Sequence, residues 1–263
     1  RQMCIRDRYY MDPRNFLDER GIFQFESLKY RSDVQTQTGV ENVLRNTPMY
    51  NTNFTYTNNA GKNVSIKYSK AFMEAAAASK VSPYHLASRV KQEVVISSTM
   101  MSSSVSGNVA GYKGIYNFYN IGANSGANAV KNGLKWASTG TDYSRPWNNR
   151  YRSIYGGACY IGKQYINVGQ NTLYLQKFNV TATKRYDHQY MANIEAPNNE
   201  ATKTANAYGS DKDNTPIVFS IPVYNNMPVS ACDIPSGGKN PNNYLKNLYV
   251  PVSYTHLRAH ETP

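Results

Sequence analysis

A mainly helical domain with a small β part (an α+β fold weighted to α) is predicted by three observations. Several runs carry apolar residues at three- and four-residue spacing. One stretch alternates around a tight-turn signal. No run of eighteen apolar residues occurs, so no helix is long enough to span a membrane. The two ends are set aside: "MCIRDR" (3–8) and "VSYTHLRAHETP" (252–263) read as translated adapter sequence on a fragment cut at both ends. Residues 1–8 and 252–263, with Cys4, His256 and His260, therefore enter no site argument. What remains is ample for one domain with a proper core.

The elements follow in order. "IFQFESLKYRSDVQTQTGVENVLRNTPM" (22–49) begins as an extended aromatic segment and runs into a short helix around Gly39 to Leu44. "NFTYTNNAGKNVSIKYS" (53–69) alternates around Asn-Asn-Ala-Gly, a hairpin signature. "SKAFMEAAAASK" (69–80) is helical by propensity. After a break at Val81–Ser82, "SPYHLASRVKQEV" (82–94) opens with an N-cap serine and a first-turn proline, and repeats Leu86, Val90 and Val94 on one face. The stretch from Ser97 to Gly111 reads as a loop, and "GYKGIYNFYNIGA" (111–123) as aromatic and turn-rich. Helices are predicted over 126–138, from Ala127, Val130, Leu134 and Ala137, and over 148–166, from Ile154, Ala158, Ile161 and Tyr165. "TLYLQKFNV" (172–180) is extended by its alternation. Beyond it the signals weaken toward the Pro/Ser/Gly-rich "IPSGGKNPNN" (234–243), a linker by composition.

Charge and cysteines narrow the function classes. Lys and Arg number 29 against 17 Asp and Glu, a net charge of +12; without the two ends it is +10. A basic chain suits an anionic partner, nucleic acid or an anionic wall polymer. The cations are scattered, however, with no recognition-helix cluster and no zinc-finger spacing, which argues against nucleic acid. Cys159 and Cys232 make neither a disulfide framework nor a CxxC, so no metal and no cofactor is expected.

Glu93 stands out in the 82–94 helix. It falls at the edge of the apolar stripe, near the helix C-terminus, the unfavourable end of the dipole for an anion. Both placements favour the protonated carboxyl that a general acid needs. The plainer reading is an i, i+4 pair with Arg89, in the weaker orientation.

The segments "YMDPRNFLDERGIFQFESLKY", "VSPYHLASRVKQEV", "YNFYNIGA", "GGACYIGKQYINVGQNTLYLQKFNV" and "HQYMANIEAP", in this order from about Tyr9 to about Pro228, resemble the glucosaminidase domains of Gram-positive peptidoglycan hydrolases, glycoside hydrolase family 73. The resemblance implies a lysozyme-like fold, with a helical lobe, a small β or loop lobe and a cleft between them. It implies a secreted enzyme acting on the cell wall, hydrolysing the β-1,4 bond after N-acetylglucosamine in peptidoglycan glycan strands. It assigns the general acid to Glu93 and cleft-lining positions to Tyr119 and Asn120, with Tyr190 in a further cleft-lining stretch. The catalytic domain would span 9–230 and a linker 231–243, with 244–251 resembling the first strand of a truncated cadherin-like β-sandwich.

Tyr116 and Phe118 fit a sugar cleft or a core plug equally well. Trp147 fits either a sugar-stacking platform or packing at the start of a helix, and His188 reads as a surface histidine. One departure from the family pattern matters. Glycosidases usually pair two carboxylates, yet no Asp or Glu occurs from Val94 to Thr141, and Asp142 is the next acid. Attack by the substrate's own 2-acetamido oxygen would supply the missing function; Tyr119 or a held water is the other route. Muramidase or lytic transglycosylase chemistry is the competing activity, and a non-catalytic wall-binding module the rival of another class.

Overall fold

The structure is a computed structural model and describes residues 2–124, 126–180, 185–189, 191 and 193–233, with side chains from residue 6 onward. In chain order it forms α1 (Gln2–Met11), α2 (Gln37–Leu44), β1 (Asn53–Thr57), β2 (Asn63–Lys67), α3 (Tyr68–Ser79), α4 (Pro83–Val94), α5 (Ala129–Ser138), α6 (Arg150–Gln164), α7 (Leu173–Phe178) and α8 (Ala196–Tyr208), joined by short 3-10 turns. This is the mainly helical chain with one small antiparallel sheet that the sequence predicts. The linker and β-sandwich expected over 234–251 lie outside the described residues.

The chain divides into two compact units. The first draws its described residues from Arg1–Ser27, Gly169–Asn206 and Ile217–Pro263. Its aromatic core includes Phe16, Phe23, Phe25, Tyr174 and Phe178. Buried Asp12 ties its strands of chain together, accepting from Arg14 Nη2 at 2.7 Å and from the Cys232 amide at 3.0 Å. Burial opposes charge on Asp12, but these bonds outweigh it and hold its carboxyl below the usual range. Two segments differ from the sequence reading. Residues 21–25, expected to be extended, form a 3-10 helix that starts on the Asp18 side chain, which accepts from the Gly21 amide at 2.9 Å. Residues 172–180 hold α7 rather than a strand. Thr172 Oγ1 caps the Leu175 amide at 3.0 Å, and Asn179 ends the turn in the left-handed region.

The second unit, Leu28–Val168 with Ala207–Pro216, holds the hairpin and the long helices. The hairpin register runs from Asn53↔Lys67 to Thr57↔Asn63. Asn58 Oδ1 closes its tip by accepting from the amides of Ala60 and Lys62, both at 3.0 Å. α3 lies against α6, and α4 against α2 and α3. Leu86, Val90 and Val94 of α4 are buried, as their spacing predicts, with Ala75 and Phe72 of α3 and Val40, Val43 and Leu44 of α2. Gly156 and Gly157 sit where α6 meets other parts of the unit. A Cβ on Gly156 would stand 2.0 Å from the Tyr143 carbonyl oxygen, and one on Gly157 2.1 Å from the Tyr119 ring.

Candidate active site

α4 is built to deliver its last turn to a fixed place. Ser82 Oγ accepts from the His85 amide and Pro83 occupies the first turn, so the start matches the sequence reading. At the far end the chain reverses through 95–101, where Val95 bridges Met101 and the Ser102 amide bonds the Val94 carbonyl at 2.7 Å. Glu93 stands in that last turn with its side chain 30% exposed.

The carboxylate does not lie among apolar neighbours, as the sequence reading has it. One oxygen meets Arg89 Nη2 at 3.2 Å, and the other meets Asn120 Nδ2 at 3.3 Å. The stripe of Leu86, Val90 and Val94 turns inward, and Glu93 falls beside it against the 116–123 segment. The i, i+4 pair with Arg89 therefore exists, but as part of a larger arrangement. Asn120 also donates to the Glu93 backbone carbonyl at 2.9 Å, gripping the residue at both ends. Its backbone is left-handed, φ +49°, a conformation asparagine tolerates better than most residues.

What holds Asn120 there is a residue the sequence reading did not single out. Asn117 is fully buried, and its Nδ2 donates to the carbonyls of Ile121 (2.8 Å) and Gly133 (2.9 Å) while its Oδ1 accepts from the Ile121 amide. The loop is closed on itself and fastened to α5. Two further bonds seat it: the Asn117 amide on the Ser104 carbonyl and the Phe118 amide on Ser153 Oγ of α6. The signal available in the sequence was an asparagine flanked by aromatics in a turn-rich segment, which marks a loop but not its fastening.

The remaining sequence candidates separate. Tyr116 is half-buried beneath the Arg150 guanidinium, 5.1 Å from its ring. Phe118 is fully buried beside Tyr68 and belongs to the core rather than to a sugar-facing wall. Trp147 is likewise fully buried, packing edge-on against Trp136 with its Nε1 donating to the Tyr143 carbonyl. Of its two readings, packing at the start of α6 is the one the structure takes. Tyr119 is 6% exposed, its hydroxyl buried and without a hydrogen-bond partner among the described residues. Burial holds this phenol well above its ordinary pKa, so it stays protonated. Tyr190 lies outside the described residues.

Among the described residues no second acid joins Glu93, whose carboxylate partners are Arg89 and Asn120. Asp142 stands in an exposed turn beside Arg145, its side chain 80% accessible. His85 is buried and pushed down to about 3 by desolvation, hence neutral. His188 is exposed, with Nδ1 on Gln170 Oε1 at 2.9 Å. Cys159 and Cys232 are unpaired thiols. Among the described residues no three His, Cys, Asp or Glu stand together as a metal site, and no helix is long and apolar enough to cross a membrane. The arrangement offers one solvent-reachable carboxyl, oriented from two sides, at the end of a rigid helix.

Comparison with known proteins gives this geometry a setting. No family model matches the chain. A β-N-acetylglucosaminidase of Bacillus subtilis is 28% identical over 219 residues, 82% of this chain and 22% of that protein. A bifunctional autolysin of Staphylococcus epidermidis is 32% identical over 109 residues, 41% of this chain and 8% of that protein. The chain thus spans about a fifth or less of the length of these relatives. Among solved structures, glucosaminidase B of S. aureus is similar at 25% identity and TM-score 0.54, covering 76% of this chain and 70% of its own. The major bifunctional autolysin shares the fold at TM-score 0.56 and 21% identity, over 82% of this chain and 80% of its own. The fold is lysozyme-like, and the resemblance read from the motifs agrees with these relatives.

Proposed function

We propose that this chain is a peptidoglycan glucosaminidase unit, cleaving the β-1,4 bond after N-acetylglucosamine with Glu93 as general acid. The observation that carries the reading is the double grip of Asn120 on Glu93, which fixes a partly exposed carboxyl at the end of α4. Its support is the likeness to glucosaminidases over most of the chain. We place its action outside the cell, at the wall.

In the first step, protonated Glu93 gives its proton to the glycosidic oxygen as the anomeric C–O bond breaks. The substrate's 2-acetamido oxygen bonds the anomeric carbon from the other face, closing an oxazolinium ring that stands in for a second carboxylate. In the second step, the Glu93 carboxylate takes a proton from water. That water's oxygen bonds the anomeric carbon and the acetamide is released. One carboxyl, correctly held, suffices for both steps, which fits the absence of an acid among the partners of Glu93.

The test is digestion of purified walls by the parent chain beside Glu93→Gln, with reduced muropeptides read by mass spectrometry. Reduced N-acetylglucosamine ends from the parent, falling by about 10²–10⁴-fold in the variant, are expected. Reduced muramic acid ends or anhydro-muramic ends would reassign the bond. No release from either protein, with wall pelleting retained, would leave a module that only holds glycan.

A further inference from the structure

A cavity of about 290 Å³ opens in the second unit, between the tip of the hairpin and the start of α6. Tyr56 of β1 and Tyr151 and Tyr155 of α6 line it. Tyr56 and Tyr151 are parallel to within 3° at 4.6 Å, and Tyr151 and Tyr155 to within 22° at 6.1 Å. The stack is fastened from behind, where the Tyr151 hydroxyl donates to Glu74 at 2.8 Å. Polar groups around the rings are left to spare. Asn149 uses its Oδ1 to cap the Arg152 amide, leaving its Nδ2, and among the described residues neither Asn59 nor the Tyr155 hydroxyl makes a side-chain hydrogen bond. Arg152 also lines the cavity; among the described residues its guanidinium has only a 3.5 Å contact with Asn148, and no carboxylate lines the wall.

We infer that this cavity is a saccharide-binding site, taking an acylated sugar ring with a carboxylate close by. Its volume sits at the low end of small-ligand sites, about 300–1,000 Å³, room for one or two rings rather than a length of chain. Tyr151 is the middle ring of the stack, so the face left for the C–H side of a pyranose belongs to an end ring, Tyr155 or Tyr56, while amide and hydroxyl groups meet the sugar's edge. A guanidinium with no carboxylate partner among the described residues selects an anion, and a carboxylate matches its fork. Among the described residues, none of the six lining residues named hydrogen-bonds Glu93 or Asn120. The identity of the ligand rests on the glucosaminidase reading; the binding itself does not.

The experiment uses the full chain carrying Glu93→Gln, so that nothing is cleaved. Backbone amide NMR follows titration with chitotetraose, a neutral N-acetylated glycan, and with a wall-derived disaccharide peptide bearing free carboxylates. Both are expected to shift amides around Tyr155 and Arg152 and to saturate. Tyr155→Ala weakens both ligands about tenfold, whereas Tyr155→Phe stays within about twofold. Arg152→Gln weakens only the carboxylated ligand, by about five- to tenfold. Equal affinities across the variants, or shifts confined to the surroundings of Glu93, overturn the site. So does saturation by a single-stranded oligonucleotide but not by either glycan, since a nucleobase also stacks on tyrosine. If the parent releases no glycan from walls while these shifts persist, the glucosaminidase reading fails and the saccharide site stands.

Discussion

At the scale of single residues, Asn120 is the test of whether orientation or mere presence of Glu93 matters. It is a positioning residue: it holds the backbone carbonyl and one carboxylate oxygen of Glu93, from a left-handed backbone. Asn120→Gly keeps that backbone unstrained and removes only the amide. Steady-state kinetics on soluble glycan are expected to show kcat down by about 10- to 10²-fold with KM near the parent value. A KM effect with kcat intact would make Asn120 a substrate contact instead, the role the family resemblance implies. Glu93 draws notice in the sequence because a carboxylate beside an apolar stripe at a helix end is anomalous there. Its partners were not, since Asn120 arrives from 27 positions away and no local pattern announces the meeting. Phe118 and Trp147 were ambiguous for a related reason: an aromatic residue fits core and cleft equally until neighbours such as Tyr68 and Trp136 are placed around it.

At the scale of elements, Lys91 shows how α4 is held against its surroundings. Its Nζ donates to the carbonyls of Val43 (2.9 Å), Arg45 (3.1 Å) and Ala207 (2.7 Å), satisfying the C-terminal end of α2 among them. Desolvation pulls its ammonium below the ordinary lysine range, Asp211 acting against it. Lys91→Met fills the space but leaves those carbonyls without their donor. A loss of about 2–3 kcal/mol is expected, a drop of roughly 5–10 °C in melting temperature by calorimetry. An unchanged melt would mean that water replaces the ammonium. Most helices were legible for reasons the structure repeats: α3 by propensity, α4 by its Ser-Pro start, and α5 and α6 by apolar spacing. α7 was not, because six residues fit both periods. Leu173 and Leu175 alternate as in a strand, Tyr174 and Phe178 pair as in a helix, and the structure buries all six residues, so burial does not separate the two periods. α8 was missed because "APNNEATKTANAY" is rich in Asn and Thr, which carry little helical propensity, and buried Ala201 and Ala205 are a faint stripe.

At the scale of the whole molecule, the net charge of +12 acts at a distance. Retention on anionic walls is therefore expected to fall steeply between low and physiological salt, and to drop on walls stripped of anionic polymer. Cosedimentation across a salt series measures it; a flat series would assign retention to the glycan alone. The division into two units has a consequence for how the chain is made. Along the sequence, residues 28–168 of the second unit separate the first unit's residues 1–27 from its next segment, which starts at Gly169. Phe25 finds its ring partner in Tyr174, and Asn15 its carbonyl partner in Cys232. During synthesis at about 5–20 residues per second, the first aromatic segment thus waits roughly 7–30 s for that partner to appear. Throughout that interval Phe16, Phe23 and Phe25 are apolar surface in search of cover, a nascent stretch on which a holding chaperone would act.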